Sequence, residues 1–286
     1  MEGRRGADVL QPWRELRKLA SKQVMDPIGT SAFFRFAPAV FFGSTLTTSI
    51  MIPLVSTKLP LHAGFDLFWV VGFLLIGTIA LALGGLDTGT SFGGMGSSRE
   101  LMVVALLEPS ILMAVYALSI RANSSNLFAI AHATVAHSLQ VSSPANALAF
   151  AGLAVVVIAE SGRLPVDNPT THLELTMIHE AMVLEYSGDR LALIKWGSSI
   201  RMVLLLGLMS NLFLPFGLAD TPGIGNMALG AMAITIKVVL LGSLLAVVEV
   251  FLAKLRLFRV PELLGGSFVL GLLAVTASYY LPAVSR

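Results

Sequence analysis

The residues able to do chemistry are concentrated in one stretch. Residues 160–190, ESGRLPVDNPTTHLELTMIHEAMVLEYSGDR, hold Glu160, Asp167, Glu174, Glu180, Glu185 and Asp189, six of the seventeen acids in the chain, with Arg163, Arg190, His172 and His179 among them. Carboxylates that are crowded and partly removed from water titrate above their ordinary range, through desolvation and mutual repulsion, and can then take up and release protons near neutral pH. The same composition also suits a connector in which Arg163 and Arg190 simply neutralise the acids, and the residues alone leave both readings open. Other ionisable groups fall within apolar runs: Glu108 beside Pro109, Glu160 closing its run, Lys237 mid-run and Glu249 near the end of the same run. A charge at membrane depth costs several kcal/mol and marks a position with a function. Lys237 and Glu249 are twelve residues apart, about 18 Å along a helix, so each needs its own partner on a neighbouring helix or a hydrated cavity. Arg201, which opens another run, is expected to snorkel to the interface.

Several other chemistries are excluded. His179-Glu180 begins like a zinc-protease HExxH, but Val183 stands where the second histidine is required. Gly93, Gly94 and Gly96 resemble a phosphate loop only in glycine content; no strand precedes them and no Gly-Lys-Ser/Thr comes after, so a tight turn between helix and membrane is expected. With no cysteine in the chain, disulfides, thiolate nucleophiles, iron–sulfur ligation and Cys-based zinc sites are excluded together. Any redox centre must sit on another chain. Nineteen Lys and Arg against seventeen acids give a net charge of only +2, which offers no footing for nucleic acid. The twelve methionines read as packing filler.

These groups must be positioned by elements built for a bilayer. Of 286 residues, 55% are hydrophobic and only 13% charged, against about 25% charged in soluble domains. Apolar runs cover approximately 33–56, 66–86, 101–120, 145–160, 199–217, 227–252 and 265–284, each close to the roughly 20 residues that span a hydrocarbon core. Long continuous runs rather than short alternating ones predict an all-α polytopic bundle of about seven spans, not a β-barrel. Lys and Arg in the connections divide thirteen to three in favour of the side holding residues 1–32, Arg99, Arg163, Arg190, Lys195 and 254–259, which is therefore cytoplasmic. The division predicts a cytoplasmic basic segment over 1–32 and a single transmembrane domain over 33–286, with a cytoplasmic acidic loop and helix over 161–198. From Leu10 the first segment is amphipathic, with Leu10, Trp13, Leu16 and Leu19 at helical spacing, suited to an anionic leaflet. It lacks the apolar region of a signal peptide. Asp167 or Asn168 followed by Pro169 is a helix-start signal, and Leu173, Leu175, Met177, Ile178, Met182 and Leu184 make the helix beyond it too apolar for a solvated loop.

The runs AESGRLPVDNP at 159–169, LEL at 173–175 and EYSG at 185–188 resemble the cytoplasmic loop of the complex I subunit 1 family, the membrane subunit at the foot of the peripheral redox arm. LQP at 10–12, GGMGSSRE at 93–100 and AKLRLFRVPELLGG at 253–266 fit it too. The likeness covers nearly the whole chain and looks closest to the hydrogenase branch, formate hydrogenlyase subunit 4 and the anchor subunits of energy-converting [NiFe]-hydrogenases. The resemblance implies a non-catalytic subunit of an oxidoreductase complex in the inner membrane. Its partners would be hydrogenase large and small subunits, iron–sulfur subunits and antiporter-like membrane subunits. The NiFe centre and iron–sulfur clusters would sit on those partners, with no cofactor, metal or catalytic residue on this chain. Glu160, Asp167, Glu174 and Glu185, with Arg163, match the family's acidic path, which Glu100, Glu108 and Glu249 would continue into the bilayer; Glu180 and Lys237 join the candidates on their placement. Docking and loop structure would fall to Arg99, Arg163, His172, His179, Tyr186, Arg190, Arg256 and Arg259, within segments 86–100, 161–198 and 253–264. The resemblance further implies one more span ahead of LQP, which would bring both termini to one side. Val166, Thr170 and His172 depart from the complex I pattern and leave quinone binding open. Two alternatives remain: the corresponding quinone-site subunit of an NADH–quinone oxidoreductase, and a stand-alone secondary transporter using Lys237 and Glu108.

Overall fold

Each apolar run becomes a helix. The structure, a computed structural model, describes residues 8–57, 65–136, 143–163, 166–167, 177–219, 223–252 and 259–280. Ten helices and no β-strand are found among them. The seven runs correspond to α2 (Ala32–Met51), α3 (Leu67–Asp87), α4 (Ser91–Ala122), α6 (Pro144–Glu160), α8 (Gly188–Phe213), α9 (Ile224–Phe251) and α10 (Val260–Tyr280). Of these, α3, α4, α8, α9 and α10 are long and apolar enough to cross a membrane, while α6 has 17 residues. Helix α2 has 20 residues but carries Arg35 and several hydroxyls. Its Ser44, Thr45 and Thr48 donate back to carbonyls one turn earlier, which satisfies them inside an apolar setting.

Two helices begin well before their apolar runs. Helix α4 starts at Ser91, where the Thr90 hydroxyl accepts from the Gly93 amide at 3.2 Å. GGMGSSRE therefore forms the first turns of α4 rather than a tight turn, because its glycines let that end of α4 press against its neighbours. A Cβ on Gly93 would lie 2.5 Å from the Gly85 carbonyl oxygen, and one on Gly96 only 2.7 Å from the Met182 amide nitrogen. Helix α8 starts at Gly188, whose φ of +60° is a conformation that favours glycine. Thirteen residues on, Arg201 lies about 20 Å into that helix, halfway along its 26 residues.

Three short helices complete the set: α1 (Gln11–Ala20), α5 (Leu127–Ala136) and α7 (His179–Val183). The amphipathic α1 lies against α8, with Leu16 and Leu19 half-buried and Trp13 exposed. Met177, Ile178, Ala181, Met182 and Val183 are buried beside α3 and α4, so this part of the acidic stretch packs on the bundle as its composition requires. Helix α4 is central and meets α3, α6, α7 and α10. Small residues bring α4, α6 and α10 close, and the Ser267 hydroxyl donates to the Gly152 carbonyl at 2.9 Å. Helix α9 packs chiefly on α8, leaving Ile236, Leu240, Leu244 and Val250 exposed, an apolar face suited to hydrocarbon.

Candidate functional site

Where α4, α6, α7, α8 and the end of α9 converge, they enclose a cavity of about 430 Å³. A volume of this size, lined by polar groups, has room for several waters. Its wall carries Glu100, Glu160, Asp167, Glu180 and Glu249, with Arg163, His179, Lys195 and Arg201, beside hydroxyls such as Thr78 and Ser198 and apolar side chains such as Phe41, Leu81 and Val103. Five helices and the segment leaving α6 thus place nine ionisable side chains around one space.

The charges are arranged in steps. Arg163 Nη1 pairs with Glu249 Oε2 at 3.2 Å, Lys195 Nζ with Glu180, and His179 Nδ1 with Glu100 Oε1 at 3.6 Å. Burial pushes the His179 imidazole down, but the carboxylates of Glu100 and Glu180 outweigh it and hold its pKa above the ordinary histidine value. Deeper in, Arg201 Nε is paired with Glu160, and Arg201 Nη2 lies 3.6 Å from Glu108 Oε1. Arg201 Nη1 donates to Thr78 Oγ1 at 2.7 Å and to the Leu74 carbonyl at 3.3 Å. Arg201 and Glu108 are each 4% exposed, and neither Glu108 oxygen accepts a hydrogen bond.

The buried position of Arg201 corrects the expectation that it snorkels. Its apolar run starts at residue 199, but the helix starts at 188, so the side chain lies too deep along the helix to reach the membrane interface. Sequence reasoning missed it as a site residue; the signal available was an arginine soon after Lys195 and Trp196, inside the same helical stretch.

Of the residues singled out from the sequence, Glu100, Glu160, Asp167, Glu180, Glu249, Arg163 and His179 share the cavity, and Glu108 lies behind Arg201. The Asp167 carboxylate also accepts from the Ile178 amide at 3.0 Å, fixing the approach to α7. Among the described residues, Arg163 pairs with Glu249 on α9 and Arg190 with Asp26. Lys237 stands apart, donating to the Leu214 carbonyl at 2.6 Å and to Asn211 Oδ1 at 3.2 Å. Arg99 donates to the Met177 carbonyl at 3.1 Å. Tyr186 is buried, stacks on Phe34 with centroids 4.2 Å apart and donates to the Phe34 carbonyl; burial pushes its phenol pKa up. Glu185 is half-buried outside the cavity wall, and Arg259 is exposed just before α10. Glu174, His172 and Arg256 lie outside the described residues. Among the described residues, no group of three or more His, Cys, Asp or Glu side chains could hold a metal ion.

A cavity with room for water and a wall of acids, ending on a buried carboxyl within a membrane helix, can store protons and pass them inward. The family profile described as NADH dehydrogenase matches residues 1–278. The chain belongs to that family. Within it the chain is 32% identical to hydrogenase-4 component C of Escherichia coli (strain K12) over 96% of its own length and 85% of that protein. It is 31% identical to formate hydrogenlyase subunit 4 of the same strain, over 96% and 88% of the two chains. Among solved structures, a chain of the membrane-bound sulfane sulfur reductase, an archaeal respiratory membrane complex, superposes with a TM-score of 0.83. The match covers 97% of this chain and 89% of that one at 16% identity, and shows the shared fold. This member of the NADH dehydrogenase family is thus a helical membrane protein of the hydrogenase and complex I-like group.

Proposed function

We propose that the chain is the membrane anchor and proton-coupling subunit of a membrane-bound hydrogenase complex of the formate hydrogenlyase or hydrogenase-4 type. The cavity mouth and α7 face the cytoplasm, in line with the thirteen-to-three division of Lys and Arg. Hydrogenase large and small subunits and iron–sulfur subunits dock there, carrying the NiFe centre and clusters, while antiporter-like subunits contact the membrane helices. The observation that carries this reading is the continuous set of ionisable groups from Glu180 and His179 on α7, through Glu100 and Glu160, to Glu108 inside α4. Electron transfer in the docked subunits changes the charge above the cavity, and the acids below answer by taking up or releasing protons.

The test is purification of the tagged chain in mild detergent, with metal analysis and assays on the proteins that accompany it. Nickel, iron and hydrogen evolution are expected. Iron and flavin with NADH oxidation and no nickel would overturn the hydrogenase assignment in favour of a quinone-reducing complex, and a solitary transporting chain would overturn the anchor role.

A further inference from the structure

Arg201 bridges two acids that face it from different helices. Glu160 from α6 and Glu108 from α4 are the carboxylates beside it; Thr78 and the Leu74 carbonyl approach from α3, and Phe41 from α2 stands 5.9 Å from the guanidinium carbon. Glu100 on α4 and His179 on α7 act on Glu160 from the cavity side. The side chains of Arg201 and Glu108 are each 5% exposed and that of Glu160 is 11% exposed. One cation therefore serves two acids at the inner end of the cavity, with Glu160 and Arg201 on its wall and Glu108 behind them.

Charge balance limits what such a triad can hold. If both acids were ionised, one negative charge would be buried without compensation; if both were neutral, the guanidinium would be. One ionised acid and one protonated acid is the arrangement that avoids both penalties. As observed, the guanidinium has closed on Glu160 and stands 3.6 Å from Glu108, beyond hydrogen-bond reach. With the ion pair made to Glu160, and the Glu108 oxygens and Arg201 Nη2 left without a hydrogen-bond partner, the charge balance places the single proton on Glu108.

We propose that Arg201 is a shared counter-ion that keeps a single proton on the Glu160–Glu108 pair and transfers it by changing partner. Resting on the proposed coupling role, this assigns the step between the cavity and the membrane interior. When Glu160 accepts a proton from the cavity, its pairing with the guanidinium is lost. Arg201 then closes on Glu108, whose proton passes to a base of the adjoining membrane subunit, the acceptor that this scheme requires. One proton enters as one leaves, no bond to carbon changes, and the guanidinium keeps its charge throughout. The movement needed is about 1 Å, the difference between the present 3.6 Å contact and a charge-assisted hydrogen bond of about 2.7–2.9 Å. Thr78 and the Leu74 carbonyl hold Nη1 as the pivot. Arg201 is a positioning residue in this scheme.

The test is infrared difference spectroscopy on the assembled complex, following the carbonyl stretch that only a protonated carboxyl gives. Glu108→Gln is expected to remove one such band. Glu160→Gln is expected to remove the same band, since Arg201 then pairs with Glu108 and ionises it. Arg201→Gln is expected to add a second band, and Arg201→Lys to keep one. A merely structural arginine predicts that Glu160→Gln leaves the Glu108 band in place, and that result would overturn the proposal, as would an unchanged spectrum in Arg201→Gln. If Arg201→Gln does not assemble, the isosteric Glu160→Gln and the charge-preserving Arg201→Lys decide the matter alone. Proton movement in vesicles is scored separately: if it survives Glu108→Gln and Glu160→Gln, the coupling role fails whatever the spectra show.

Discussion

Gly94 and Gly96 stand two residues apart on α4 and present a controlled comparison. An alanine at either position gains the same helix propensity over glycine, roughly 0.8–1.0 kcal/mol. At Gly94 nothing lies within 4 Å of the added Cβ, so Gly94→Ala is expected to stabilise by up to about 1 kcal/mol. At Gly96 the Cβ would meet the Met182 amide nitrogen at 2.7 Å and the Ala181 carbonyl carbon and Cβ at 3.0 Å. Two of those three atoms are backbone, so α7 must move as a unit, and overpacking of this kind costs about 1–3 kcal/mol. The two variants should therefore differ by about 1–3 kcal/mol in favour of Gly94→Ala, or several degrees in melting temperature at roughly 2–4 °C per kcal/mol. Thermal unfolding of the purified assembly in one detergent measures that difference. The displaced α7 carries His179 away from Glu100, so Gly96→Ala should also flatten the pH dependence that their contact gives. Equal melting temperatures, or a higher one for Gly96→Ala, would refute the close packing of α7 on α4 that shapes the cavity wall.

The His179–Glu100 contact makes stability depend on pH. Because the imidazole pKa is raised on folding, its contribution is fully present below the ordinary histidine value of about 6.5 and is lost as pH rises through the folded value; His179→Gln should abolish this slope in unfolding measured from pH 6 upward. Tyr186→Phe removes the 3.2 Å hydrogen bond to the Phe34 carbonyl while keeping the stacked ring, and should cost about 0.5–1.5 kcal/mol in the same assay. Asn211 is 1% exposed, donates to the Pro53 and Leu54 carbonyls at 2.9 Å each and accepts from Lys237. Asn211→Leu strips a partner from all three groups and should destabilise by at least about 2 kcal/mol, at about 1–3 kcal/mol for each buried polar group left unmade.

Hydrophobic run length made the spans legible, because the bilayer fixes how many apolar residues a helix needs. It did not reveal where helices begin outside the bilayer. Gly93, Gly96 and Gly188 look like breakers in one dimension, yet each sits where another segment presses close, and tertiary contact draws it into a helix. That error in the start of α8 is also what hid Arg201, since a residue read as the mouth of a span lies in its middle. The need of Lys237 and Glu249 for separate partners was legible from helix rise alone, and both partners are present in Asn211 with the Leu214 carbonyl, and in Arg163. Which acids share a space was not legible. Glu100, Glu160, Glu180 and Glu249 come from four helices, and only packing brings them to one wall, while Glu185, close to Glu180 in sequence, falls outside it.

The central claim is that protons pass from the cavity to Glu108. The most direct measurement is proton movement into or out of sealed vesicles per hydrogen evolved, comparing the assembled wild-type complex with Glu108→Gln. Glu108→Gln is isosteric and leaves the docking surface untouched, so assembly with nickel and iron content equal to wild type is the control. The variant is expected to lose proton movement while hydrogen evolution by the docked subunits continues under uncoupled conditions. A wild-type ratio of protons to hydrogen in the fully assembled variant would contradict the claim.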